Sequence, residues 1–121
     1  MTRVLVVEDD RWLAQLQTDI LKGAGHEVSI ASNAIEAIDA IDGFKPEVMV
    51  LDVLLTGSTA FALLHEMQSH PDIASLPIVL CTNMADALDL DTVKHYGVKR
   101  VIDKTTMQPE DLVAAIRSME V

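Results

Sequence analysis

Five short apolar runs, set at near-regular intervals along 121 residues and separated by segments of helical period, constrain the fold of this chain more than any other feature. The runs are RVLVV (3–7), EVSIA (27–31), EVMVL (47–51), PIVLC (77–81) and KRVID (99–103). Between the first two, Leu13, Leu16, Gln17, Ile20 and Ala24 recur at three- and four-residue steps, which predicts a helix with one apolar stripe. The glycines of GAGHE (23–27) end it. Asn33, three residues before Glu36, opens a second helix as a capping box; Ala34, Ala37, Ile38 and Ile41 form its inward stripe and GFKP (43–46) closes it. A third helix carries Phe61, Leu64 and Met67 and stops near HPD (70–72). A fourth covers Asp86 to Tyr96, interrupted by Asp86, Asp89 and Asp91. The fifth opens at Pro109, with Glu110 and Asp111 in its first turn, and buries Leu112, Val113 and Ile116.

Strands alternating with helices predict an α/β three-layer sandwich around a five-stranded parallel sheet. VLVV, VMVL and IVL are apolar on both faces, as central parallel strands must be, whereas EVSIA alternates and KRVID is polar at both ends, as edges permit. Right-handed crossovers then give the strand order 2-1-3-4-5. Ligands in such sheets bind beyond the carboxyl ends of the strands, where the order reverses, here between the first strand and the third.

The length suits one domain over 1–121, and with half its residues apolar the chain can bury a core of ordinary size. The N-terminus lacks the layout of a signal peptide and no apolar run approaches the length of a membrane span, so a cytoplasmic protein is expected. Nineteen acidic against nine basic residues give a formal net charge of −10. Such a chain is repelled by phosphate backbones and anionic membranes, which argues against direct nucleic-acid or membrane binding. The single cysteine, Cys81, reads as a small core residue, and the four scattered histidines lack metal-ligand spacing.

The residues at the carboxyl ends of the runs carry the chemistry. VLVVEDD (4–10) sets aliphatic residues against Glu8, Asp9 and Asp10; the third run ends at Asp52, the fourth at Thr82 and the fifth at Lys104. Like charges ~4 Å apart at an effective dielectric of ~20 repel by about 4 kcal/mol, so solvent, a protein cation or a metal ion must relieve the acids. Taken singly, each residue could merely mark a strand's exit into water. Taken together at one switch point, they describe a site.

VLVVEDD, LDVLLTG (51–57), CTN (81–83) and VIDK (101–104) resemble the motifs of response-regulator receiver domains, the CheY-like, flavodoxin-like (βα)5 modules of two-component signalling. The resemblance extends over nearly the whole chain, with GHEVSIASNAIEAIDAI and HPDIASLPIVLCT in register with the family's second strand and helix and its approach to strand four. It implies that Asp52 is the phosphoryl acceptor. Glu8, Asp9, Asp52 and the backbone carbonyl of Leu54 would hold Mg²⁺ or Mn²⁺. Magnesium suits that set because it takes hard oxygen ligands in an octahedron and keeps several waters. Thr82 and Lys104 would bind phosphoryl oxygens, with Asn83 beside them, and Asp10 would be a solvated first-turn residue.

The resemblance further implies a signalling switch that takes its phosphoryl group from a sensor histidine kinase or a histidine phosphotransfer protein. It would turn over no external substrate and would pass the signal to a downstream target or output domain, as a monomer or weak dimer. No second domain follows residue 121, so the chain reads as a free-standing regulator or a receiver cut from a longer one.

Several positions depart from the family pattern. Val101 stands where an aromatic is usual, Thr105 where the lysine is normally followed by proline, Asn83 where a small residue is preferred, and Thr56 and Ala60 where proline and glycine are usual. Because a cis bond before threonine costs ~3 kcal/mol, the loop after Lys104 is expected to be trans. Apolar Leu54 and Met84 at the positions flanking the phosphoryl group predict slow self-dephosphorylation. These departures leave an alternative: a degenerate receiver acting as an interaction module independent of phosphorylation. An aspartyl-phosphate hydrolase is disfavoured, since Leu54 stands where its second acid belongs and the chain has no room for a cap domain. Trp12 is expected to pack partly buried near the acids.

Overall fold

Strands that are apolar at every position need cover on both faces, and the chain supplies it with helices on either side of the sheet. The computed structural model describes residues 2–52, 54–55, 58–82 and 90–119, with the backbone alone at 54, 55, 58–60, 90 and 92. Its elements are β1 (Arg3–Val7), α1 (Arg11–Gly23), β2 (Glu27–Ala31), α2 (Ala34–Phe44), β3 (Val48–Leu51), β4 (Leu54–Leu55), β5 (Ser58–Thr59), α3 (Ala60–Gln68), β6 (Ile78–Thr82), α4 (Leu90–His95), β7 (Val98–Asp103) and α5 (Pro109–Arg117). The large sheet runs β2-β1-β3-β6-β7, all parallel, and β4 with β5 forms a separate antiparallel pair. Counting the strands of the large sheet alone, this is the predicted order 2-1-3-4-5.

Because side chains alternate across a strand, each central strand serves two cores. Leu5, Val7, Met49, Leu51, Ile78 and Leu80 pack with Ala37 and Ile41 of α2 and with Leu63, Leu64 and Met67 of α3. Val4, Val6, Val48, Val50, Val79 and Cys81 point the other way, against Leu21 of α1 and Leu112, Ala115 and Ile116 of α5. Each large side chain so buried contributes roughly 1.5–3 kcal/mol.

The helix ends follow their local chemistry. Asn33 accepts a bond from the Glu36 backbone N–H at 2.9 Å and donates to its side chain at 3.1 Å. Lys45 ends α2 in the left-handed region with φ 54°, and Gly25, just past α1, has φ 92°. Pro109 opens α5, where Asp111 accepts from the backbone N–H of Gln108.

Four packing expectations are corrected. The buried face of α1 is Ala14, Gln17, Thr18 and Leu21; Leu16 and Ala24 are exposed, and Leu13 and Ile20 only half-buried. Trp12 is 74% exposed, and Ile38 is 40% exposed rather than part of a closed stripe. In α5, Val113 is half-buried and Ala115 takes the interior position beside Leu112 and Ile116. The fourth helix is described only over Leu90–His95 of its predicted span.

Candidate functional site

The backbone ladder sets the site before any side chain contributes. Val7 and Leu51 are paired across β1 and β3, so the next residues, Glu8 and Asp52, leave the sheet side by side. The Glu8 N–H donates to the Ala31 carbonyl at 3.0 Å and the Asp52 N–H to the Val7 carbonyl at 3.3 Å. On the far side, Thr82 pairs with Asp103, and the Lys104 N–H donates to the Thr82 carbonyl at 2.9 Å. The strand ends thus bring Glu8, Asp52, Thr82 and Lys104 to one edge of the sheet.

Lys104 reaches across β6 to the acids. Its Nζ donates to Glu8 Oε1 at 2.5 Å and to Asp52 Oδ2 at 2.8 Å. Glu8 is 2%, Asp52 8% and Thr82 0% exposed, so the contact is largely shielded from water. Burial pushes the Glu8 carboxyl up to about 7; the bond and charge of Lys104 oppose the shift and the charge of Asp52 adds to it. Burial alone would lower the Lys104 ammonium, yet its bonds to Asp52 and Glu8 outweigh that and raise it above its ordinary value.

The three consecutive acids of the first motif separate into three environments. Asp10 is exposed, as expected, and stands as the N-cap of α1 rather than within its first turn, its side chain accepting from the Leu13 N–H at 3.1 Å. Glu8 is buried against Lys104. Asp9 is exposed, and its carboxylate lies with those of Glu8 and Asp52 so that one oxygen from each falls within 4.8 Å of the others. Three carboxylates against one ammonium leave an excess of two negative charges when all are ionised. Hard oxygen donors of that charge fit a divalent cation of the magnesium class.

The remaining predicted residues separate as follows. Leu54 lies in β4, two residues beyond Asp52. Val101 is half-buried against the core that includes Leu80 and Val93. Among the described residues there is no cis peptide bond, so Lys104–Thr105 is trans; Thr105 donates its N–H to Asp103 Oδ1 at 2.8 Å and its hydroxyl at 2.6 Å. Those two bonds hold the Asp103 carboxyl below its usual value. Asn83, Met84 and Thr56 lie outside the described residues.

Sequence reasoning missed the group beneath the site. Gln17 is buried with its amide nitrogen 3.5 Å from Cys81 Sγ and its Oε1 without a partner among the described residues, and Cys81 in turn contacts Met107 Sδ at 3.6 Å. Gln17 stood in the expected α1 stripe, but nothing in its pattern pointed to Cys81. Among the described residues, no helix is long and apolar enough to cross a membrane.

Comparison with known proteins agrees with the fold. The DNA-binding response regulator MtrA of Mycolicibacterium paratuberculosis is 28% identical over 116 residues, 96% of this chain and 50% of its own length. The chain therefore spans about half the length of such curated relatives. The crystal structure of NtrX from Brucella abortus superposes with a TM-score of 0.82 at 28% identity, over 98% of this chain and 26% of that one. The signal receiver domain of a histidine kinase from Syntrophus aciditrophicus gives 0.85 at 24% identity, over 98% and 89%, and speaks for the fold alone. The family model of the response regulator receiver domain matches residues 4–117, and the chain belongs to that family.

Proposed function

We propose that this receiver domain is a phosphoryl-accepting switch in which Asp52 takes a phosphoryl group from a phosphohistidine. The observation that carries the reading is the Lys104 ammonium bonded to both Glu8 and Asp52, with Asp9 beside them. In the transfer, an Asp52 oxygen forms a bond to phosphorus as the bond to the donor imidazole nitrogen breaks, and that nitrogen leaves with the electron pair. Glu8, Asp9, Asp52 and the Leu54 carbonyl would hold a divalent cation, Mg²⁺ or Mn²⁺, which when bound supplies Lewis-acid polarisation and offsets the excess negative charge. Lys104 follows the charge, pairing with Asp52 beforehand and with a phosphoryl oxygen afterwards. The Thr82 hydroxyl, at the end of β6, donates to another of those oxygens.

The new group adds about −1.5 to −2 charges and three strong acceptors, and it can shift the domain's conformers only by as much as it prefers one over the other. The donor is a histidine kinase or a phosphotransfer protein, and the recipient of the signal a protein target or an output domain. The domain catalyses its own modification and no turnover of an external substrate, and we place it in the cytoplasm. Exposed Trp12 and Leu16 on α1, the helix that follows the acids in the chain, give the donor an apolar place to rest.

Incubation with acetyl phosphate and Mg²⁺, followed by intact-mass measurement, tests this. Wild type gains the mass of one phosphoryl group, whereas Asp52→Asn and samples in EDTA gain none. A wild type that stays unmodified defeats the proposal and leaves the interaction-module reading.

A further inference from the structure

We propose that the groove at the N-terminal edge of the sheet, between α2 and the α3–β6 connection, docks a basic amphipathic helix of a partner protein. The groove encloses about 660 Å³. It lies at the opposite end of the strands from Glu8 and Asp52, because Pro46 and Glu47 lead into β3 and Leu76 and Pro77 into β6. The proposal is therefore independent of phosphoryl transfer.

The groove is apolar within and acidic at its margin. Ile38 and Ile41 line it from α2, and Ile73 and Leu76 from the other side. Ile38 is 40% exposed, and Ile35, three residues before it on α2, is 76% exposed, so an uncovered apolar row continues beyond the groove. Around it, Asp39, Asp42 and Asp72 are exposed, and their side chains make no hydrogen bond or ion pair among the described residues. Glu47 on the same margin is engaged by Arg3 at 3.8 Å, and Lys45 is the nearby counter-charge.

Lys45, the C-cap of α2, and Arg3, whose Nε donates to the Lys45 carbonyl at 3.0 Å, meet the negative end of the helix, so the uncompensated charge of the margin is that of Asp39, Asp42 and Asp72. A cationic partner supplies the missing counter-charge. Apolar anchors at i and i+3 or i+4 would enter between Ile38 and Leu76, while flanking lysines or arginines meet the acids, the pattern of a helix laid in a groove. Nucleic acid and anionic lipid are repelled by the same margin.

The test titrates the ¹⁵N-labelled full chain with a synthetic amphipathic peptide of roughly four helical turns, leucines on one face and lysines flanking them. Amide shifts are expected over residues 35–47 and 70–78. The double variant Asp39→Lys/Asp42→Lys should weaken binding by about tenfold or more, with its spectrum otherwise unchanged. Ile38→Ser should weaken binding without altering charge, and a peptide with glutamates for its lysines should not bind. Shifts centred on residues 8–12 and 52, equal affinity for the double variant, or no shift at millimolar peptide would each overturn the proposal.

Discussion

Replacing Lys104 by methionine removes the ammonium that bridges two shielded carboxylates while keeping most of the apolar stem of the side chain. In the native protein this group bonds Glu8 at 2.5 Å and Asp52 at 2.8 Å, and its own side chain is only 15% exposed. Breaking a buried ion pair from one side typically costs about 3–5 kcal/mol, because the partner charge is left uncompensated. For a domain of this length 1 kcal/mol corresponds to about 4 °C in Tm, so in EDTA the variant should melt some ~12–20 °C lower. Part of that loss is recoverable by protonation. The Glu8 carboxyl already stands at about 7 against 4.5 for the free group, and without the ammonium it rises further.

A carboxyl whose folded pKa exceeds its unfolded one binds more protons when folded, so its contribution to stability is present at low pH and lost as pH rises through the folded value. The gap between Lys104→Met and wild type should therefore widen from about pH 6 to about pH 8. Magnesium should close it. Saturating cation adds about 2.7 kcal/mol at 100 times Kd, and the variant should gain more than wild type, since no ammonium competes for the carboxylates. Thermal and urea melts at two pH values, with EDTA or Mg²⁺, measure all of this, and Glu8→Gln/Lys104→Met should recover much of the loss. A variant within about 1 kcal/mol of wild type at pH 8, with equal response to Mg²⁺, would refute the reasoning.

Gln17→Met should raise stability by about 1 kcal/mol, since it removes the buried Oε1 that has no partner among the described residues and keeps the volume; a loss in chemical denaturation would mean the amide is satisfied in solution. Asn33→Ala should cost about 1 kcal/mol by removing the cap on the Glu36 N–H, again read from urea melts. Cys81 should resist a thiol reagent at pH 8 until urea unfolds the chain, because burial pushes its pKa up to about 11 from 9.0. Its folded value being raised, the thiol's contribution to stability persists below its unfolded pKa and is lost as pH rises through about 11, so rapid labelling of native protein would contradict the structure.

Much of the architecture was legible because the strands are apolar on both faces, a pattern that only a covered parallel sheet accommodates. Once the order 2-1-3-4-5 is read, Glu8, Asp52, Thr82 and Lys104 must converge, since each is the residue that follows or ends a strand. What was not legible lies on α1. Thr18 looks polar yet is buried because its hydroxyl donates to the Ala14 carbonyl at 2.7 Å, satisfying itself within the helix. Ala14, small and apparently neutral, lies inside with it, which rotates the buried face away from Leu16 and leaves Trp12 in solvent. Hydrophobic periodicity cannot register a self-satisfied threonine.

Two of the departures from the family pattern, Val101 and Thr105, lie on β7 and in the turn beyond it, and the geometry explains why they leave the acids undisturbed. Glu8 and Asp52 are held by backbone bonds to Ala31 and Val7, on strands β1, β2 and β3. Val101 and Thr105 belong to β7 and the turn beyond it, where Asp103 binds Thr105 through both its N–H and its hydroxyl. That turn has its own local fastening and does not depend on a proline to place Lys104, whose N–H is tied to the Thr82 carbonyl. Val101, meanwhile, packs half-buried against the α2–α3 side of the core and has no ring to swing between two rotamers. An aromatic on β7 is therefore not available to answer new charge at Asp52, which directs the test of the proposed switch to Thr82 at the end of β6. Thr82→Ser would keep the hydroxyl and Thr82→Val would remove it with little change in shape, so the two should part company in how tightly a phosphoryl mimic is held.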